Sequence, residues 1–418
     1  MNIYYSDIIF KQQSTGFVHN LKEDYACFIL WKSARSYRDK IRDLFSSEFT
    51  VLLETEIEWS EEHFHSNASR LYEAPIYFET PLNDVISGHA KKIGDNKFIL
   101  FVVKDDSPKY TYAMSVSGKI EMSNLNVVKA KYQMRDWIQA DTGVKYGVHS
   151  TNNIFEFFFQ VPLLLGKSRF NRLINGEEIQ DEYIKKDLEG AGGWKNYQEV
   201  FDILNLTSNY LVQRGFETLP ESNPEMDIDF LTDNYQRLAS ALGVRQRKNK
   251  PYKGFLKIEQ KEISLDIRYV GDKYYSVNWA QDMLHNKEFK NSIFVPRKDD
   301  YFFSLLYHTK VQKPQVKSKY ISILKEIAKE LNFDWYKTTF LDNDETIGKI
   351  LNGYFLAHSY VYEDSIDNGV YKNKVVIEYL PRIKGASQKK VKYKQLKVIV
   401  RKMLPERAIR FIKRILKR

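Results

Sequence analysis

The stretch Met226-Asp227-Ile228-Asp229-Phe230-Leu231 constrains this chain more than any other. Acidic and apolar residues alternate in it, the pattern of a strand with one polar and one packed face. Asp227 and Asp229 are therefore expected on the same face, where their carboxylates repel each other unless a cation neutralises them. Leu265-Asp266-Ile267 follows, with Asp266 placed 37 residues after Asp229, and reads as a strand acid between apolar neighbours. Three carboxylates on neighbouring strands make up the oxygen ligand set of a Mg2+ (or Mn2+) site for phosphoryl transfer.

The surrounding pattern is that of a mixed α+β chain. Residues 1–190 read as an α/β domain, with a helix from Trp31 to Phe45, an alternating strand over 51–59 and a buried strand over 98–103. Gly190-Ala191-Gly192-Gly193 punctuates the chain and marks a boundary. Residues 194–340 hold the acids. The expected order there is a helix over 196–209, a strand at Tyr210-Leu211-Val212-Gln213-Arg214, a loop over 215–225 and the acidic strand. A helix over 233–242, strands near 255–258 and 263–270, and helices over 300–310 and 318–331 complete it. This order fits a small mixed-sheet nucleotidyltransferase core. Residues 341–381 read as a helix and a short β element around 374–380, and residues 382–418 as a basic tail.

An Asp-x-Asp pair also occurs in ordinary surface strands and turns. Of the catalytic readings, a sugar-nucleotide glycosyltransferase places a buried apolar strand before its acids. Here Pro220-Glu221-Ser222-Asn223-Pro224-Glu225 is a polar approach, and the apolar residues alternate with and follow the acids. That favours nucleotidyltransferase geometry.

From Tyr210 to Pro220, and then through Asp227-Ile228-Asp229-Phe230-Leu231, the chain resembles nucleotidyltransferase-fold proteins of bacterial surface-polysaccharide (capsule or lipopolysaccharide) biosynthesis. The resemblance covers roughly residues 195–335. It implies Mg2+ on Asp227 and Asp229 with Asp266 as third acid, a nucleotide or nucleotide-sugar donor, and a glycan or lipid-linked glycan acceptor. One feature departs from the pattern: the Gly-Ser pair that opens the phosphate-binding helix is replaced by Asn205-Leu206-Thr207-Ser208.

Further candidates carry two readings each. Arg214 can hold a phosphate through its planar fork of donors or pair with Glu217 or Glu221. Lys310 and Lys313, at helical spacing, can face a triphosphate or solvent. His308 can carry a proton or be a hydrogen-bonded helix residue. In the first domain, His149 and Asn152 could bind a sugar or phosphate at a helix N-terminus, while Asn152 or Asn153 could simply cap that helix. Asp105-Asp106-Ser107-Pro108 ends a strand where an α/β domain presents ligand groups, and equally makes a turn.

Charge is unevenly distributed. Residues 382–418 contain fifteen Lys or Arg against Glu406, a charge of +14 in a chain of net +10, so residues 1–381 carry −4. Within this tail Pro405 suits a first helical turn. Ala408, Ile409, Ile412, Ile415 and Leu416 then form an apolar stripe beside Arg407, Arg410, Lys413, Arg414, Lys417 and Arg418. A basic amphipathic helix with such a stripe is expected on an anionic membrane surface rather than on nucleic acid, because phosphate contact alone has no use for the stripe. Cys27 is the only cysteine, which excludes an intramolecular disulfide and a cysteine zinc site. The first residues lack a signal-peptide pattern, and the most apolar run, 154–165, is too short to span a bilayer. The expected place is cytoplasmic, peripheral on the inner face of the membrane.

Overall fold

Alternating and helical stretches assemble into open mixed sheets flanked by helices. The structure, a computed structural model, describes residues 5, 21–77, 93–114, 120–180, 182–333, 335–337 and 339–382. The basic stripe expected over 405–418 lies outside the described residues. The chain divides into two compact units, Met1–Val270 with Ala280–Tyr301, and Gly271–Trp279 with Phe302–Arg418.

In chain order the first unit contains β1 (Asp24–Leu30), a 3-10 turn (Lys32–Tyr37), α1 (Arg38–Glu48), β2 (Thr50–Glu58), α2 (Phe64–Leu71), β3 (Ile76–Tyr77) and β4 (Lys97–Asp105). The hairpin β5 (Tyr110–Met114) and β6 (Ile120–Asn124) leads to α3 (Leu125–Thr142), β7 (Val148–Ser150), α4 (Ile154–Ile174) and β8 (Tyr183–Lys185). Then come α5 (Tyr197–Thr207), β9 (Tyr210–Val212), β10 (Asp227–Thr232), α6 (Tyr235–Leu242), β11 (Arg245–Arg247), β12 (Lys250–Ile258) and β13 (Lys261–Tyr269). The helix expected from Trp31 is an α-helix only from Arg38; a 3-10 turn precedes it.

Two sheets organise this unit. One has the order β7-β1-β4-β2-β8, and the other β3-β11-β12-β13-β10-β9. Strand β1 shows why the first is buried on both faces. Ala26, Phe28 and Leu30 join Ile41 and Phe45 of α1 and Val127, Met134 and Ile138 of α3 in one core. Cys27 and Ile29, on the alternate face, are equally buried, and α4 packs on β1 from there. Helix α4 also packs against α5, and Phe201 of α5 meets Tyr210 and Phe230 of the second sheet. Burying each such aromatic contributes on the order of 2 kcal/mol.

The boundary expected at Gly190-Ala191-Gly192-Gly193 falls inside the first unit. Two residues from the N-terminal half, Ile76 and Tyr77, add in parallel to β11 at the edge of the second sheet, so the two halves share a sheet. Gly190 shapes a turn there. It has φ +71°, and a Cβ on it would lie 2.2 Å from the Trp194 ring.

The elements α7 (Val277–His285), β14 (Glu288–Lys290), β15 (Ile293–Val295) and α8 (Lys298–Lys310) carry the chain across the division between units. The second unit adds α9 (Ser318–Glu330), α10 (Asp344–Ala357) and α11 (Lys374–Glu378). Its core is aromatic: Trp279 contacts Tyr307, Tyr354, Phe355 and Tyr360, and Phe303 stacks on Tyr354 at 3.8 Å. The β element expected around 374–380 is instead the helix α11, whose first turn is capped by the Asn373 side chain. No helix among the described residues is long and apolar enough to cross a membrane.

Candidate functional site

Strand β10 alternates as its sequence demands. Ile228 and Phe230 are buried, while Asp227 is exposed and Asp229 only partly covered. Strand β13 does the same, with Leu265 and Ile267 fully buried to either side of Asp266. Phe230 packs on Phe201 of α5, and Asp227 and Asp229 alternate with the apolar residues onto the other face of β10. Met226 enters β10 with φ +51°, a left-handed conformation unusual for a non-glycine residue.

The two strands pair in parallel, and the register sets Asp229 directly beside Asp266 and Asp227 beside Ser264. Paired residues on adjacent strands point the same way, with backbones about 4.8 Å apart. The register thus sets the backbones of Asp229 and Asp266 side by side on neighbouring strands. Asp227 lies one step along the same face. As the side chains stand, no three His, Cys, Asp or Glu among the described residues are grouped closely enough to hold a metal ion.

Protein cations pair with Asp229 and Asp266 instead. Gln213 extends β9 by donating its backbone N–H to Asp229 O at 2.8 Å and its side-chain amide to Phe230 O at 2.7 Å. This fixes the next residue, Arg214, whose Nε lies 2.9 Å from Asp229 Oδ2. Arg214 thus pairs with the metal-site candidate itself, while Glu217 accepts from the Tyr301 hydroxyl. Asp266 receives two cations. Arg268 Nε stands 2.7 Å from Oδ1 and Nη2 3.2 Å from Oδ2, while Lys253 Nζ donates to Oδ2 at 2.7 Å.

These neighbours set the electrostatics. Burial pushes the Asp229 carboxyl up; Arg214 opposes this, and Asp266 and Asp227 reinforce it. Burial acts the same way on Asp266, but Arg268 and Lys253 outweigh it and hold its carboxyl below the ordinary range. The face is short of positive charge at Asp229 and well supplied at Asp266. The sequence reading overlooked Lys253 and Arg268. Arg268 had a signal, since it follows Asp266 by two residues on one strand and so shares its face. Lys253 had none, because its pairing with Asp266 depends on the register of β12 on β13.

The remaining candidates are engaged elsewhere. His149 Nε2 lies 2.8 Å from Gln160 Oε1, and its ring meets Tyr72 edge-on. Asn152 binds Lys131 Nζ at 2.5 Å and Glu121 at 3.0 Å. Asn153 is the residue that caps α4, accepting from Glu156 N–H. This cluster is therefore built as a capped helix start, not as an open ligand pocket. Asp105 is likewise buried, accepting from Asn124 and Asn126. Lys310 and Lys313 belong to the second unit, where Lys310 pairs with Asp344 at 3.7 Å. His308 there is the hydrogen-bonded helix histidine, 2.7 Å from the Tyr274 hydroxyl.

A cavity of about 410 Å3 opens at the carboxyl ends of β10 and β13, between Asp233, Tyr235, Gln236 and Tyr269. A larger one, of about 710 Å3, lies at the first sheet beside Lys32, Gly143 and Tyr146; it contains none of the strand acids. Comparison with family models, with curated proteins and with solved structures finds no match to this chain.

Proposed function

We propose that the chain is a metal-dependent transferase of the nucleotidyltransferase type, moving a nucleotidyl or phosphoryl group onto a hydroxyl acceptor during surface-glycan assembly. The observation that carries this reading is the register of Asp229 beside Asp266 with Asp227 on the same face. The donor set fits Mg2+ or Mn2+, both of which take hard carboxylate oxygens. Asp229 supports the fit: its carboxyl stays raised even with Arg214 in contact, the condition a further cation relieves. Asp227, Asp229 and Asp266 would hold the ion, which when bound neutralises charge building on the transferred phosphoryl oxygens.

The chain's own residues prepare that chemistry. Arg214, 7% exposed, orients the Asp229 carboxylate rather than reaching for substrate. Arg268, 5% exposed, does the same for Asp266. A site with acids pre-aligned in this way loses little in reorganisation when charge develops. The sequence of residues 382–418 supports work at the cytoplasmic face of a membrane, where a lipid-linked glycan acceptor would be presented.

The test is turnover with labelled nucleoside triphosphates and sugar nucleotides in Mg2+ or Mn2+, following release of pyrophosphate or nucleoside diphosphate. Nucleotidyl transfer predicts pyrophosphate from a triphosphate, abolished by Asp229→Asn with the melting temperature preserved. Release of nucleoside diphosphate from a sugar nucleotide alone would assign the site to a glycosyltransferase instead.

A further inference from the structure

We propose that Lys253 is a latch on the carboxylate site: it holds Asp266 until a divalent cation displaces it, and then grips an anionic phosphate chain of the donor. This rests on the reading of Asp227, Asp229 and Asp266 as metal ligands. The three cations at the acids differ in freedom. Arg214 and Arg268 are 7% and 5% exposed, and Lys253 is 45% exposed. The Arg268 guanidinium reaches both oxygens of Asp266 and lies over the Tyr252 ring at 4.9 Å. Lys253 touches Asp266 through one ammonium at the end of a flexible stem.

A metal ion that approaches Asp266 through Oδ2 meets an oxygen that both cations already use. Repulsion between the ion and an ammonium at that distance falls on the group that moves most cheaply. That group is Lys253, since Arg268 is clamped by ring and carboxylate together. The neighbouring surface of β11 and β12 carries further cations beside Glu262, the register partner of Lys257. Lys257 shares the face of Lys253 on β12 and is exposed, and the exposed Arg247 lies over the Phe255 ring at 4.6 Å. Acids in the centre with released cations along the β11–β12 margin match a ligand that is anionic and metal-bound at once, as a polyphosphate chain is.

The experiment is a Mn2+ titration of the full chain, read from the paramagnetic resonance signal of the free ion, on the unchanged protein, Lys253→Met, Lys253→Arg and Asp229→Asn. Lys253→Met should bind Mn2+ roughly three- to tenfold more tightly, because the competing ammonium is gone. Lys253→Arg, which keeps a counter-ion, should bind near the original affinity. Calorimetry with tripolyphosphate at saturating Mn2+ should show affinity about tenfold weaker in Lys253→Met. Unchanged or weaker Mn2+ binding in Lys253→Met, in a protein whose binding still needs Asp229, overturns the latch and leaves the metal reading standing. Tighter Mn2+ with undiminished tripolyphosphate binding overturns the phosphate grip. Absence of Mn2+ binding in the unchanged protein and in Lys253→Met at millimolar ion overturns the latch and the metal reading together.

Discussion

Asp229 and Asp266 are direct partners across the parallel pairing of β10 with β13, and each is met by an arginine, Arg214 at 2.9 Å and Arg268 at 2.7 Å. Two like charges set side by side by the backbone are held there by cations that the sheet delivers from two other positions, the end of β9 and β13 itself. The arrangement keeps the acids aligned without collapse of one onto the other.

The two cations on Asp266 should differ in what they contribute to stability. Arg268→Met removes a buried guanidinium and leaves the carboxylate to Lys253 alone, so unfolding free energy should fall by about 3 kcal/mol. Lys253→Met, at a half-exposed position, should stay within about 1 kcal/mol of the original. Denaturant titration of both variants measures the contrast, and equal losses would contradict the assignment of Arg268 as the fixed partner.

Metal binding should depend on pH through Asp229. Because burial raises its carboxyl above the ordinary range, the proton returns earlier on acidification than at an isolated aspartate. Mn2+ affinity should therefore weaken as pH is lowered below neutrality, well before ordinary carboxylates titrate near about 4. A flat affinity down to that pH would contradict the raised carboxyl.

Asp24 gives a separate pH signature. Burial pushes it up to about 6 against the hydrogen bonds it accepts from Asn124 and Tyr110. A carboxyl raised in the folded state favours folding while protonated. Its contribution is complete below the unfolded value of about 3.9 and is lost as pH rises through about 6. The unfolding free energy of the unchanged protein relative to Asp24→Asn should thus drop by about 2 kcal/mol between pH of about 4 and 7. A pH-independent difference would show that Asp24 titrates normally.

Much of the acid site was legible because it is local. Period-two alternation in residues 226–231 and 263–270 is enough to put Asp227, Asp229 and Asp266 on strand faces. The helices at Tyr197–Thr207, Tyr235–Leu242 and Ser318–Glu330 follow equally from their spacing. What failed was non-local or decided by a single cap. Val375-Val376-Ile377 is a β-branched run that reads as strand by propensity, yet Asn373 caps it as a helix. The addition of Ile76–Tyr77 to β11 and the reach of Lys253 to Asp266 depend on pairings far apart in sequence. No periodicity reports them.

Asn153 offers a check on the cluster at the start of α4. Asn153→Ala removes the cap on Glu156 N–H and should cost about 1 kcal/mol. His149→Ala and Asn152→Ala should alter stability while leaving turnover intact; loss of turnover without loss of stability would restore a ligand role to this cluster.

The basic tail is tested by deletion. Removing residues 388–418 should release the protein from anionic liposomes, each basic residue near the surface contributing about 1 kcal/mol. Unchanged liposome binding, or stronger binding to DNA than to liposomes, would contradict the membrane reading.

The most direct measurement is the stoichiometry of Mn2+ binding before and after loss of one carboxylate. The unchanged protein should bind Mn2+ saturably, and Asp229→Asn, with its melting temperature retained, should bind none at the same concentrations. Equal Mn2+ binding in both, or none in either, would contradict a metal site on the paired strands.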